Sequence, residues 1–255
     1  MKRTLNRLAP LLFVILLLAV WEIAVRALRT PAYLLPAPSA IAVALVQNAR
    51  LLTASALTTL KMAFEALVVA SIAACAISLA IGLSSLAERS VRPLAVALQV
   101  TPIVAIAPLV NIWAGLDHPK RAVVGLAAAV AFFPMFSGAL TGLKAADPDL
   151  ERLFKLYGAG RVQRLLRLRL PSAVPYLLEG HKVAAGLAVI GAVVAEFVSG
   201  SGGSQGLAWR LLEAANRLQT AKMFAALLLL GVIGVAAHAV FEAIECWVLK
   251  KWRGR

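Results

Sequence analysis

The chain has 255 residues, 61% of them hydrophobic, and its mean hydropathy is +0.85. Soluble domains are about 45–50% apolar, so an ordinary soluble core is excluded, and so is a disordered chain, which needs low hydrophobicity. The net charge of +14 is spread between long apolar runs. That spread excludes a dedicated nucleic-acid binder and fits a polytopic membrane protein with basic connections.

A helix crosses a bilayer in about 20 residues. Six stretches qualify as spans: residues 8–27, 64–87, 93–116, 122–143, 183–199 and 223–249. Lys2, Arg3 and Arg7 precede the first. Trp21, Glu22 and Arg26 stand where a small-residue cleavage site would follow, so the stretch reads as a retained span rather than a signal peptide. The second is rich in Ala, Ser and Gly, which lets neighbouring backbones approach closely. Lys61 and Glu65, at its start, read as an interfacial pair.

Pro102 and Pro108 are expected to break the third span, and Pro134 the fourth. Such breaks either line a transport path or serve packing alone. Gln99, Thr101 and Asn111 are uncharged groups of the third span able to touch a polar solute. Gly138 and Gly142 form a GxxxG pair in the fourth. Glu196, near the end of the fifth, either lines an outer vestibule or pairs with an external base. His238 in the sixth reads as a packing residue. Residues 199–204 are Gly- and Ser-rich and read as an external loop. Cys75 and Cys246 are small hydrophobes within apolar runs, and no His, Cys or carboxylate stands at metal-ligand spacing.

The expected fold class is therefore all-α, one transmembrane domain over residues 1–255. Seventeen of the 26 basic residues fall on the side of the termini and nine on the other, so both termini are expected to be cytoplasmic.

Residues 144–182 form a connection far longer than a turn requires, and it holds eight of those basic residues. Asp147 is placed as an N-cap, Pro148 at the first helical position, and Asp149 and Glu151 in the first turn. The helix is expected to reach Tyr157. Gly158-Ala159-Gly160 then permits a bend. A second helix with Arg161, Arg164 and Arg167 beside Val162, Leu165 and Leu166 is expected to end at Pro171. Two readings fit: a basic amphipathic helix on the anionic leaflet, or two short helices that dock into a partner protein.

Gly158, nine residues and Leu168-Arg169-Leu170-Pro171 resemble the loop motif of binding-protein-dependent ABC importer permeases. That motif reads Glu-Ala-Ala, three residues, Gly, nine residues, Ile, any residue, Leu-Pro. Trp21-Glu22, the run from Leu34 to Ala40, Pro171-Ser172-Ala173-Val174-Pro175-Tyr176 and Ala195-Glu196-Phe197 are similar to its nitrate, sulfonate and taurine branch. Arg152, Leu153 and Phe154 stand in place of Glu-Ala-Ala, so the family's glutamate is displaced to Glu151 or missing.

The resemblance implies a type I importer permease fold. It implies a permease dimer with two cytoplasmic ATPase subunits that bind ATP-Mg and an extracytoplasmic solute-binding protein, with no cofactor in this chain. Glu151, Leu153, Tyr157, Gly158, Arg161, Leu170 and Pro171 would form the coupling loop; Gln99, Thr101, Asn111 and Glu196 would lie along the path. The implied cargo is a small anion such as a sulfonate, taurine or nitrate. Similar permeases handle pyrimidine-type vitamin precursors or riboflavin. The chain contains no G-x-x-x-x-G-K-[ST], so it cannot hold ATP phosphates in the P-loop manner. An ion-coupled secondary transporter is the rival reading; it calls for paired intramembrane carboxylates or an inverted repeat, and neither is evident.

Overall fold

Long apolar runs in lipid must satisfy their backbone internally, and helices do so within one segment. A computed structural model describes residues 2–82, 85–115, 118–199 and 205–253. They are built from helices, with no strand among them. In chain order these are α1 (Lys2–Ala27), α2 (Pro38–Gln47), α3 (Ala49–Gly82), α4 (Ser85–Val100), α5 (Ile103–Ala114), α6 (Pro119–Lys144) and α7 (Pro148–Leu156). Then come α8 (Arg161–Arg164), a π turn (Leu165–Arg169), α9 (Leu170–Ser199), α10 (Leu207–Asn216) and α11 (Thr220–Arg253).

Four helical stretches are long and apolar enough to cross a membrane: Ala49–Gly82, Pro119–Lys144, Arg161–Ser199 and Thr220–Trp252. The apolar α1 displays Leu12, Phe13, Ile15, Leu16 and Ile23 on its surface, as a lipid-facing helix does.

Several boundaries differ from those the sequence suggests. The helix expected at 64–87 starts at Ala49 and ends at Gly82, a length of about 51 Å at 1.5 Å per residue. Glu65 therefore lies inside it, 3.9 Å from Lys61, both exposed. The stretch 93–116 is two helices, parted at Thr101-Pro102, because Pro102 has no N–H and its ring collides with the preceding turn. Pro108 and Pro134 break nothing: α5 and α6 run through them. Nor does the helix from Arg161 end at Pro171. The N–H of Leu170 donates to the Leu165 carbonyl, five residues back, in a π turn. That widened turn carries the coil past the proline, and Arg161–Ser199 is one 39-residue stretch. Residues 200–204 of the expected external loop lie outside the described residues.

The centre is α6 packed on α9, with α3 against both. Its core is largely alanine: Ala66, Ala70 and Ala74 of α3, Ala127 and Ala131 of α6, Ala188, Ala192 and Ala195 of α9. Glycines bring the backbones together. A β-carbon at Gly138 would stand 2.6 Å from the Tyr176 carbonyl, and one at Gly142 2.8 Å from the Ala173 α-carbon. From the other helix, a β-carbon at Gly180 would stand 2.7 Å from the Pro134 carbonyl. The GxxxG pair is thus a helix contact.

At one end of the bundle, α2 and α10 pack across the start of α11. Ile41, Leu52, Leu207, Ala225 and Leu230 form a second core there, joined by Trp21, whose ring lies 5.9 Å from that of Phe224. Glu22 of α1 ties α2 in place: it accepts from the Ser39 N–H at 3.0 Å and the Ser39 hydroxyl at 2.8 Å. At the opposite end of α3, Leu79 packs with Leu143, Leu165 and Ala173.

The α6–α9 contact makes a direct prediction. Gly142→Leu forces backbone apart and lowers stability by about 1–3 kcal/mol. Gly186→Leu, where an added β-carbon meets nothing within 4 Å, leaves it unchanged. Thermal unfolding of the detergent-solubilised protein measures both, and equal midpoints for the two variants would refute the close-packing account.

Candidate functional site

The connection between α6 and α9 folds as a helical elbow. Asp147 caps α7, its carboxylate accepting from the Asp149 N–H at 2.8 Å, with Pro148 at the first position. Asp149 and Glu151 then complement the positive end of the helix. Tyr157 closes α7, and Gly158 takes φ +74°, a left-handed conformation that favours glycine. No atom lies within 4 Å of where a Gly158 β-carbon would be, so the requirement is conformational rather than steric. The Gly160 N–H then donates to the Gln163 side chain at 3.1 Å and starts α8.

Glu151 is the hub of this elbow. Its carboxylate accepts from Arg164 at 2.7 Å and from Arg169 at 2.9 Å, and it is 16% exposed. A third Arg169 nitrogen donates to the Gly82 carbonyl at the end of α3, at 3.3 Å. The Arg169 hydrogen bond is the main reason the Glu151 carboxyl is held below the usual carboxylate range; both arginine charges add to it, while burial opposes it.

The outer face of the elbow is apolar. Leu156 is 85% and Tyr157 83% exposed, with Leu153, Val162 and Leu166 exposed beside them. Leu153, Phe154, Tyr157, Ala159, Gln163 and Arg167 line a pocket of about 320 Å³. Exposed leucines and a tyrosine on a polar connection mark an interaction face. Of the expected loop residues, Leu153 and Tyr157 lie on that face. Arg161 starts α8, and Gly158 turns the chain. Glu151, Leu170 and Pro171 face inward or sit within the continuous helix.

The four expected path residues fall in separate surroundings. Thr101, whose hydroxyl donates to the Ala97 carbonyl at 2.9 Å, borders an apolar pocket of about 350 Å³ between α3, α5 and α6. Phe132 and Phe133 line the same pocket. Gln99 is exposed on α4. Asn111 accepts from the Ser199 hydroxyl at 3.2 Å, which joins α5 to the end of α9.

Glu196 is only 2% exposed. It accepts from the Gly206 N–H at 2.8 Å and the Ala208 N–H at 3.2 Å, while the Leu207 N–H donates to Thr59 at 2.9 Å. The opening amides of α10, which have no partner in their own helix, are thus satisfied by α9 and α3. Gly206 has no side chain to cap with, and a β-carbon there would collide with the Glu196 carboxylate. Arg210 adds a hydrogen bond to Ser55 at 3.1 Å.

Reasoning from the sequence missed Arg164 and Arg169 as partners of Glu151, because the pairs are thirteen and eighteen residues apart across the elbow. A short acidic stretch followed by a run of arginines was the available signal. It also missed Thr59 and Ser55, polar residues of α3 that carry no motif.

The family model described as "Binding-protein-dependent transport system inner membrane component" matches residues 66–250. The chain is 32% identical to the formylaminopyrimidine transport permease protein of Halalkalibacterium halodurans, over 99% of both chains. It is 30% identical to a putative aliphatic sulfonates transport permease protein of Bacillus subtilis, over 68% of this chain and 60% of that one. It is also 30% identical to the riboflavin transport system permease protein of Chloroflexus aurantiacus, over 93% and 87%.

Two predictions follow from the geometry. Glu196→Ala leaves the Gly206 and Ala208 amides unsatisfied and costs about 1–3 kcal/mol; Glu196→Gln keeps an acceptor and costs less. Equal thermal midpoints for Glu196→Ala and wild type would exclude the capping role. For Glu151, the lowered pKa means its contribution is present above the ordinary carboxylate value of 4.5 and is lost as pH falls through the folded value. The stability gap between wild type and Glu151→Gln is therefore flat from about pH 8 to 5 and closes below about 4.5. A gap that widens on acidification would contradict the ion cluster.

Proposed function

The chain belongs to the family of binding-protein-dependent transport system inner membrane components, and from that premise we propose how it works within an ATP-driven importer. It is the membrane-embedded transport subunit and not itself an enzyme. ATP hydrolysis falls to separate cytoplasmic ATPase subunits that hold ATP-Mg, and the solute arrives on an extracytoplasmic binding protein. Two copies of the chain form the path. Six spans, α1, α3, α4 with α5, α6, α9 and α11, put both termini and the elbow in the cytoplasm.

The observation that carries this reading is the apolar outer face of the elbow, with Tyr157 83% exposed over a pocket of about 320 Å³. A solvated turn has no use for such a face; a groove on an ATPase subunit would bury it. Gly158 sets the angle at which α7 meets that groove. The solute would pass beside the Thr101 pocket and Asn111, while Gln99 lies on the exposed side of α4.

For the cargo, a sulfonate, taurine or nitrate-like anion is the first reading, supported by the likeness to the sulfonate permease. A pyrimidine-type vitamin precursor, or riboflavin, is the second, supported by the likeness to the formylaminopyrimidine permease over 99% of both chains and to the riboflavin permease over 93% and 87%. Specificity in either case resides chiefly in the binding protein.

The test is co-purification and uptake. The wild-type permease retains its ATPase subunit in detergent, and Gly158→Pro, which cannot take positive φ, abolishes uptake. No ATPase association together with unchanged uptake in Gly158→Pro would overturn the proposal. Calorimetry of the cognate binding protein with sulfonates and pyrimidines separates the two cargo readings.

A further inference from the structure

In α7 no residue is buried. Only Phe154 among its apolar residues is half-buried, so packing holds the helix weakly and its position depends chiefly on polar attachment and on the chain at its two ends. One of those ends is the Gly158 elbow, at φ +74°, where an added β-carbon would meet nothing within 4 Å. The polar attachment is Glu151. Its carboxylate engages Arg164 and Arg169, and Arg169 spans onward to the Gly82 carbonyl. That carbonyl ends α3, at the negative pole of the helix, where a cation is favoured.

Arg169 is suited to this bridge. Its Nε and Nη2 address the two Glu151 oxygens at 3.4 and 2.9 Å, leaving Nη1 for Gly82. A planar fork does this; a single ammonium cannot hold both partners in the same geometry. Arg169 is also the last residue of the π turn, whose Leu165 packs with Leu79 of α3 and Leu143 of α6. Displacement of α7 is thereby delivered to α3 through Arg169, and to the 39-residue stretch that includes α9 through Arg169 together with Arg164.

We infer that Glu151 and Arg169 form a positioning pair that transmits movement of α7 to the ends of α3 and α9. The inference rests on the function proposed above. It turns Glu151 inward, as part of the transmission, and leaves partner contact to the apolar face of the elbow.

The test uses the whole importer, with its ATPase subunits and binding protein, reconstituted in vesicles and supplied with taurine, an aliphatic sulfonate or a formylaminopyrimidine, whichever the binding protein binds in calorimetry. Uptake per ATP hydrolysed is the readout, beside ATPase co-purification. Arg169→Gln and Glu151→Gln are expected to retain the ATPase subunit and to lose coupling about tenfold. The double variant is expected to lose no more than either single one, because the pair acts as a unit. Arg169→Lys keeps the charge but not the fork, and falls as far as Arg169→Gln. Wild-type coupling in the single variants, additive losses, or loss of the ATPase subunit from the complex would each overturn the inference. If the Gln variants fail to give a monodisperse complex, Arg169→Lys decides the matter on the same ratio. A wild-type complex that neither binds an ATPase nor imports sinks the proposed function itself, and this inference with it; coupled variants of a coupled wild type sink the inference alone.

Discussion

Close approach of α6 and α9 is the contact on which the arrangement depends. Lipid tails are as apolar as leucine, so burial of apolar surface does not drive helices together in a bilayer; packing and interhelical polar contacts do. Packing is tightest where no side chain intervenes. Gly138 and Gly142 on one helix and Gly180 on the other place backbone against backbone. Alanines of α3 extend the same close fit to a third helix. Large residues such as Ile72, Ile77 and Ile190 are left to face outward. The small side chains inside and the large ones outside have the same cause.

A consequence appears at the two ends of the bundle. Short helices cannot be stabilised by length, and each needs its first amides satisfied. Both α2 and α10 receive a glutamate from a long neighbouring helix: Glu22 of α1 meets Ser39, and Glu196 of α9 meets Gly206 and Ala208. The same chemistry is thus used twice at one end, on the helix that follows α1 and on the helix that follows α9. These carboxylates look functional in a list of intramembrane charges. Their geometry assigns them to holding the outlying helices, which leaves the Thr101 pocket and its aromatic wall as the better place to seek solute contact.

How much of this was legible beforehand depended on the range of the interaction. The Asp147 cap, Pro148 and the Gly158 elbow were readable because each acts within a few residues, through fixed φ or a missing donor. Apolar runs located the long helices, but not their limits, because a helix such as α3 extends past its charge-free stretch with Arg50, Lys61 and Glu65 in it. Pro102 and Pro134 are alike in sequence terms. Yet the chain parts at the first and runs on through the second, where α9 packs against Pro134 and Met135. The π turn left no sequence signal, since Pro171 alone predicts an end. Glu151 was legible as a first-turn acid and as a motif position, whereas its arginine partners, across the elbow, were not.

The excess of basic residues can now be divided by what each one does. Among the eight in residues 144–182, Arg164 and Arg169 neutralise Glu151, Arg152 meets Asp149, and Lys182 meets Glu179 and Glu245. Orientation in a membrane follows the count of Lys and Arg rather than net charge, so these pairings leave the topological argument intact. They do change the electrostatic one. A loop with three of its five arginines in ion pairs is less basic toward a partner than its composition suggests. Binding to an anionic leaflet would leave the exposed Leu156 and Tyr157 to insert without that full attraction. A protein groove that buries two large apolar side chains needs much less of it. The division of the charge therefore favours the protein-docking reading of the elbow over the membrane-surface one.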